Sequence, residues 1–446
     1  MKKVAIIGAG LTGLTTGLYL KKAGIPFVIF EKNSYTGGVI RSEKKKGFII
    51  EKGPNTGVVA SLELAQLLEE LSDIAKPVFA DERAKKRLIL KHGKWHALPT
   101  GITSAVSTPL FTAKDKLKVA GEFFRKKGNY ETESLAQTVK RRLGKSFLDY
   151  AIDPFVSGVY AGDPNYLITK YAFPKLYNLE DKYGSFIKGS IKINKERSPE
   201  YKEKVNKKIF SFENGLQELT DALTLKVGSE NIRLNQNKLG IQYLSPSRFS
   251  VNGEEFTHIV STVNTQAIDK LFPFINAREI GTLVRLLYAP VIELSLGFNH
   301  WEGINLDAFG GLIPTKENRN ILGVLFMSSQ FPNRAPKEGA FFSVFTGGIK
   351  KHNLIKLPDD ELLKFVAEDF RELMQIPAFT ANLIEIHRHP QAIAQYGIDS
   401  KERLQEIAQV EKKFPGLLIK GNPKDGIGIA DRVTQAVKTA KKLIEK

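Results

Sequence analysis

Gly8, Gly10 and Gly13 stand in G-x-G-x-x-G spacing directly after the apolar run at 4–7. This pattern suits a phosphate. The first glycine permits a tight turn, the second lets a pyrophosphate approach the backbone, and the third lets helix and strand pack closely. The helix that follows turns its partly positive N-terminus toward the same place. Glu31 closes the next apolar run, where a carboxylate accepts two ribose hydroxyls and repels a 2′-phosphate. Taken alone, such glycines also occur in ordinary tight turns. Their strand–turn–helix setting and Glu31 favour a dinucleotide, but they do not choose between NAD and FAD.

Two further groups bear on that choice. Gly37-Gly38-x-x-Arg41-Ser42 follows Glu31 after a short loop, and Glu51-x-Gly53-Pro54 comes next. Adjacent glycines let the chain pass against a ligand, and Arg41 can pair with a diphosphate through charge-assisted bonds. NAD-only folds have no need of this second loop, so the order and spacing favour FAD. Near the other end, 417–421 (LLIKG) leads through Asp425-Gly426-Ile427-Gly428 into a helix expected from Ile429. Gly421, Gly428 and Ile429 would bring a second helix N-terminus to the ligand, which suits a reduced, anionic flavin.

These residues need elements to hold them. The 446-residue chain is long enough for two or three domains. Residues 4–32 read strand–helix–strand, and 62–73 have helical spacing. The stretch 87–98 reads as a hairpin turning at Gly93, and 101–175 as basic and helical. Residues 180–208 read as a long polar connection, and 215–227 as a helix. Short strands follow at 231–263 and 288–350, then a helix at 359–374, a strand near 383–389 and the closing helix at 429–445. Nucleotide-binding pieces thus lie at both ends with a large insertion between them. The expected class is α/β, with a Rossmann-like domain built from distant segments and a mixed-sheet domain beside it.

Composition narrows the function. There is no cysteine, which excludes disulfides, iron–sulfur clusters, thiolate nucleophiles and a cysteinyl-linked flavin; FAD is expected to be non-covalent. The net charge of +18 points to an anionic partner or a lysine-rich solvated surface. No nucleic-acid signature supports the first as DNA or RNA. No run approaches the roughly 18 apolar residues of a membrane span. The chain opens directly on a strand, so no signal peptide is expected. His387 and His389 lie two apart on an expected strand and read as structural, with no metal site.

The segment 153–182 (DPFVSGVYAGDPNYLITKYAFPKLYNLEDK) resembles the FAD-dependent, oxygen-using protoporphyrinogen oxidases. So do HALPTG at 96–101, FENGLQEL at 212–219, FPNRAP at 331–336 and DGIGIAD at 425–431. The resemblance implies an FAD domain from 1–80, 206–264 and 410–446, a substrate domain from 81–100 and 265–409, and a helical membrane-binding domain at 101–205. It places Arg87 on a substrate propionate and the macrocycle between Gly158 and the pair Phe309 and Leu312. It also implies oxygen as acceptor and peripheral attachment to an anionic membrane, on the cytoplasmic face of the cell membrane. A homodimer is compatible with it. Leu110, Phe111, Phe123 and Phe124 are the residues expected to insert shallowly.

The implied reaction removes six hydrogens from protoporphyrinogen IX in three two-electron steps. The flavin accepts hydride, so no catalytic side chain is required. Coproporphyrinogen III is the near alternative, and an amine oxidase or carotenoid desaturase the next. A basic membrane- or nucleic-acid-binding protein with a vestigial FAD fold is the alternative from another class. The chain departs from the family pattern at Lys238, where a valine contacts the adenine, at Ala394 for a proline near the flavin, and at Ala436 for a glycine.

Overall fold

The computed structural model describes residues 2–129 and 131–445. Val4–Ile7 and Phe27–Phe30 are buried throughout, the pattern of parallel strands covered on both faces. They form the heart of a five-stranded parallel sheet. Its order is Ile232–Arg233, Phe27–Phe30, Val4–Ile7, His258–Ser261 and Leu417–Ile419. Segments far apart in sequence therefore end side by side at the carboxyl edge. One face packs on helices Leu11–Lys22, Gln217–Val227 and Ile429–Ile444 through Leu14, Leu219 and Val433. The other packs on Ile268, Phe272 and Leu283, and on Ile407 and Val410 of helix Ser400–Lys413. The sequence division places 265–409 with the substrate domain, and the reading of the chain missed this last helix. Its charged sequence buries only a narrow stripe.

A second sheet has seven strands, ordered Leu383–Ala394, Tyr288–Phe298, Ala340–Gly347, Ile321–Phe326, Gly310–Leu312, Arg87–Lys91 and Lys94–Ala97. The hairpin turns at His92 and Gly93, both with positive φ (50° and 71°), as a two-residue turn between twisted strands requires. Helix Asp359–Met374 covers one face through Leu362, Val366 and Phe370. The strand expected near 383–389 runs on to Ala394, which pairs with Tyr288.

Between Ile102 and Lys204 the described residues form helices and turns, without a strand. The segment 180–208, expected as a connection, instead forms helices Phe186–Glu196 and Pro199–Lys204, capped by Ser185 and Ser198. Tertiary partners explain the difference. Glu122, fully buried, accepts the Phe186 N–H at 2.9 Å. The same carboxylate pairs with buried Arg142 at 2.8 Å, and Arg142 also pairs with buried Glu180. Arg141 joins from the side, at 2.8 Å from both Glu133 and Glu180.

Leu110 and Phe111 are a correction. Both are buried in a cluster with Ile89 and Tyr150, and Phe111 stacks on Phe147 at 3.8 Å between centroids. They brace the strand that carries Arg87 and reach no surface. Phe123 and Phe124 remain exposed, the latter at 92%.

Breaking a buried ion network by removing one member strands its partners, which costs about 3–5 kcal/mol. Arg142→Ala is expected to lower the unfolding free energy by that amount. Urea unfolding followed by circular dichroism measures it.

Candidate active site

Gly8 turns the chain with φ +105° at the end of its strand. A β-carbon on Gly13 would lie 2.0 Å from the Gly8 carbonyl oxygen, so the helix rests directly on this turn. Gly10 caps the helix without a side-chain bond, and the first turn carries no acidic residue. A β-carbon on Gly10 would meet nothing within 4 Å. The helix N-terminus therefore opens onto free space and offers unpaired N–H groups to an anion. The second loop closes on this space. Gly37 donates its N–H to the Ala9 carbonyl at 2.8 Å, and a β-carbon on Gly38 would lie 3.2 Å from Gly10 Cα. Gly53 packs on the Val39 carbonyl, leaving 2.0 Å for a β-carbon, and half-buried Pro54 follows it.

Glu31 is buried and accepts the Ala9 N–H at 2.8 Å through one oxygen. The other accepts from the N–H and side-chain amide of Asn33, at 3.0 and 2.8 Å. A lone pair remains on the oxygen that Ala9 meets, open to a ribose hydroxyl. Arg41 is exposed, stands over the Tyr35 ring at 4.1 Å, and forms no ion pair among the described residues. Lys238 is also exposed. Its loop lies beside Glu31 because the Gln236 N–H donates to the Glu31 carbonyl at 2.8 Å.

The third segment arrives at the same edge. Gly421 has φ +91°, and its N–H donates to Gln435 at 2.7 Å. A β-carbon there would lie 3.1 Å from the Thr262 carbonyl, and one on Gly8 would lie 2.8 Å from Thr262 Oγ1. Buried Arg432 donates to the Lys424 and Gly426 carbonyls at 2.9 and 2.8 Å. The Tyr396 hydroxyl lies 2.9 Å from the Asn422 carbonyl. The loop is thus held from behind. Asp431 accepts the Gly428 N–H at 3.1 Å, so the helix starting at Ile429 carries its own anion in its first turn.

The substrate candidates meet on the second sheet. Arg87 pairs with Gly310 and Ile89 with Leu312. The exposed Arg87 guanidinium lies 5.7 Å from the Phe309 ring centre. A β-carbon on Gly158 would lie 2.4 Å from Leu312 Cδ2. Register extends this face across the sheet: Leu312 lies opposite Gly323, Gly323 opposite Phe345, Phe345 opposite Glu293, and Glu293 opposite His387. Arg87 and Leu312 therefore share the face opposite the helix-covered core, with Phe309 beside Arg87 and Gly158 against Leu312.

The sequence profile described as flavin containing amine oxidoreductase matches residues 11–418. The chain belongs to this family. Among its relatives, protoporphyrinogen oxidase 2 (chloroplastic/mitochondrial) of Arabidopsis thaliana is 30% identical over 98% of this chain and 93% of its own. The coproporphyrinogen III oxidase of Bacillus subtilis is 25% identical, covering 97% and 96%. A solved structure from Exiguobacterium sp. 255-15, assigned as a protoporphyrinogen oxidase, shares the fold at a TM-score of 0.81. It is 22% identical and covers 100% of this chain and 99% of its own.

As a member of the flavin containing amine oxidoreductase family, the chain is an FAD-dependent oxidoreductase. The open space at Gly10, ringed by backbone that has no room for side chains, fits a pyrophosphate. The glycines of all three segments would hold it there, with Glu31 on the ribose.

The sequence reading missed a polar cluster behind Gly53 and Pro54. Asn55 donates to Glu293 at 2.8 Å and accepts from Ser343 at 2.6 Å. Glu51 accepts from Ser42 and from the Leu216 N–H at 2.5 and 2.9 Å, and lies 3.3 Å from buried Arg334. A lone glutamate within the apolar strand VIELSLGF was the available signal. Burial pushes the Glu293 carboxyl up to about 8, against the pull of Asn55 and Ser343. Burial also raises Glu51 to about 7, opposed by Arg334.

A carboxyl raised by folding keeps its proton after the unfolded chain has lost it. Its stabilising effect is complete below the ordinary carboxylate range and is lost as pH rises through the folded value. As pH rises from the ordinary carboxylate range toward 8, Glu293 thus lowers stability progressively. Glu293→Gln is expected to flatten the fall in the urea midpoint between pH 5 and pH 8. Equal falls in wild type and variant would show that Glu293 ionises normally.

Proposed function

We propose that this enzyme oxidises protoporphyrinogen IX to protoporphyrin IX with oxygen as the final acceptor. The observation that carries the reading is 30% identity to the Arabidopsis thaliana protoporphyrinogen oxidase along nearly the whole of both chains. The meeting of Arg87, Phe309, Leu312 and Gly158 supports it. When bound, FAD supplies a hydride acceptor for an sp³ bridging carbon and passes the electrons to oxygen. The chain supplies position. Arg87, with no carboxylate partner among the described residues, holds a propionate bidentately. Phe309 and Leu312 take one face of the macrocycle, and the backbone at Gly158 takes the other. In this reading residues 81–100 and 265–409 build the substrate side.

Coproporphyrinogen III is a second reading. It is favoured by the Bacillus subtilis relative and by the +18 charge, which suits four propionates. Anaerobic mixing of the holoenzyme with each porphyrinogen decides between them, because only a true substrate bleaches the flavin absorbance. Bleaching by neither overturns both. Charge-assisted hydrogen bonds contribute about 1.5–3 kcal/mol. Arg87→Ala is therefore expected to lower kcat/KM roughly ten- to a hundredfold, mostly through KM. Unchanged kinetics would move the propionate partner elsewhere.

The same reading lays part of 101–205 on an anionic membrane at the cytoplasmic face. No described helix is long and apolar enough to cross a membrane. Leu117 and Phe124 are exposed at 75% and 92%, beside exposed Lys114, Lys126 and Lys127. Each lysine at an anionic surface contributes about 1 kcal/mol, and the apolar side chains add shallow insertion. The protein is expected to float with anionic liposomes at low salt, and Phe124→Ser to float less. Failure to float with either anionic or neutral vesicles would sink this part.

A further inference from the structure

The face that carries Arg87 is closed at its centre. Leu312 Cδ2 would lie 2.4 Å from a β-carbon on Gly158 and 3.0 Å from one on Gly323. One side chain thus fills the space left by a glycine of helix Asp153–Val159 and a glycine of strand Ile321–Phe326. A flat macrocycle in contact with both walls needs them roughly 7 Å apart. The slot expected between Gly158 and Leu312 is therefore shut in this structure, and the helix or Leu312 must move to admit a ligand.

Polar bonds hold the helix at both ends: past its last turn Gln395 donates to the Tyr160 carbonyl at 2.9 Å, and the Ile349 N–H donates to the Ala161 carbonyl at 2.8 Å. Asp153, in its first turn, accepts the Thr315 N–H at 2.7 Å and the Thr315 hydroxyl at 2.9 Å. Lys350 donates to the same carboxylate, and at 2.8 Å to Thr315 Oγ1. Thr315 lies three residues beyond Leu312, so the latch fastens the helix beside the residue that fills the slot. Immediately before Asp153, residues Leu148–Ile152 form a π-helical turn, a rare form that is frequent at functional sites. Phe155 and Val159 on the helix are exposed, while Val156 is buried in the cluster beneath it.

We propose that Asp153 is a positioning residue. With Thr315 and Lys350 it latches helix Asp153–Val159 against strand Gly310–Leu312, and so sets the width of the slot that admits the planar substrate. When the latch opens, the first turn of the helix, beside the Leu148–Ile152 turn, moves off the strand while Gln395 and Ile349 keep its far end. The inference rests on the porphyrinogen reading for the ligand, but not for the latch itself.

Asp153→Asn keeps the side-chain size and removes the charge that holds Lys350, and Lys350→Met removes the cation instead. Hydrogen–deuterium exchange of the holoenzyme is expected to be at least fivefold faster at the amides of 153–160 in both variants, with Val4–Ile7 and the flavin content unchanged. Stopped-flow mixing with protoporphyrin IX should show association and release both faster than wild type by several-fold. A pocket that was merely damaged would associate more slowly. Wild-type exchange at 153–160, or porphyrin association equal to or slower than wild type in both variants, would overturn the latch. Wild-type protein that binds neither protoporphyrin nor coproporphyrin would overturn the functional reading, and the exchange measurement then decides the latch by itself.

Discussion

Backbone resting on backbone is the constraint on which the rest of the molecule depends. Gly13 sits on the Gly8 carbonyl, and Gly53 on the Val39 carbonyl, each with 2.0 Å where a β-carbon would need far more. Between them Gly37 and Gly38 run alongside Ala9 and Gly10. These contacts bring three turns around one space, in which a β-carbon on Gly10 would meet nothing within 4 Å. What faces the space is therefore peptide N–H groups and the positive end of a helix. The carboxyl ends of five parallel strands supply the crevice, as open α/β sheets do, and Gly421 arrives there on the last strand from more than 400 residues along the chain.

The two sheets are registered by polar contacts as well as apolar ones. Asn55 follows directly on the Gly53-Pro54 turn and reaches Glu293 and Ser343 in the heart of the seven-stranded sheet. Glu51 receives bonds from Ser42 and Leu216, with Arg334 close by. Arg334 also donates to Ser211 and Phe212, and Asn333 to Glu213. Hydrogen bonds fix direction as well as distance, so this cluster selects one placement of the flavin side against the substrate side. It also gives FENGLQEL and FPNRAP a shared physical basis, since these two stretches meet in one buried knot.

The substrate side follows a different logic. A strand supplies Arg87, its neighbour supplies Leu312, and a helix outside the sheet supplies Gly158. The polar latch at Asp153 spans that gap while both sheets remain intact around it. Such a division puts the latch on a short helix that packs on strands Gly310–Leu312 and Ile321–Phe326, within the sheet and not at its edge.

The sequence by itself determined whatever depends on neighbours within a few residues. The glycine turns, Glu31 at a strand end and the His92-Gly93 hairpin were legible because backbone sterics and short-range pattern decide them. The sequence could not show that 180–208 is helical, because burial of Glu122 and Glu180 against Arg142 from another segment holds it so. Nor could it separate Leu110 and Phe111, which are core, from Phe124, which is exposed. All three are apolar residues in basic surroundings, and only packing against Ile89 and Tyr150 distinguishes them. The row from Ile89 through Leu312 and Glu293 to His387 likewise exists only once six strands pair in register. Local sterics write turns and strands into short stretches of sequence. Which side chains share a face, a charge or a slot is set by pairings between residues hundreds of positions apart, and only the tertiary structure decided those.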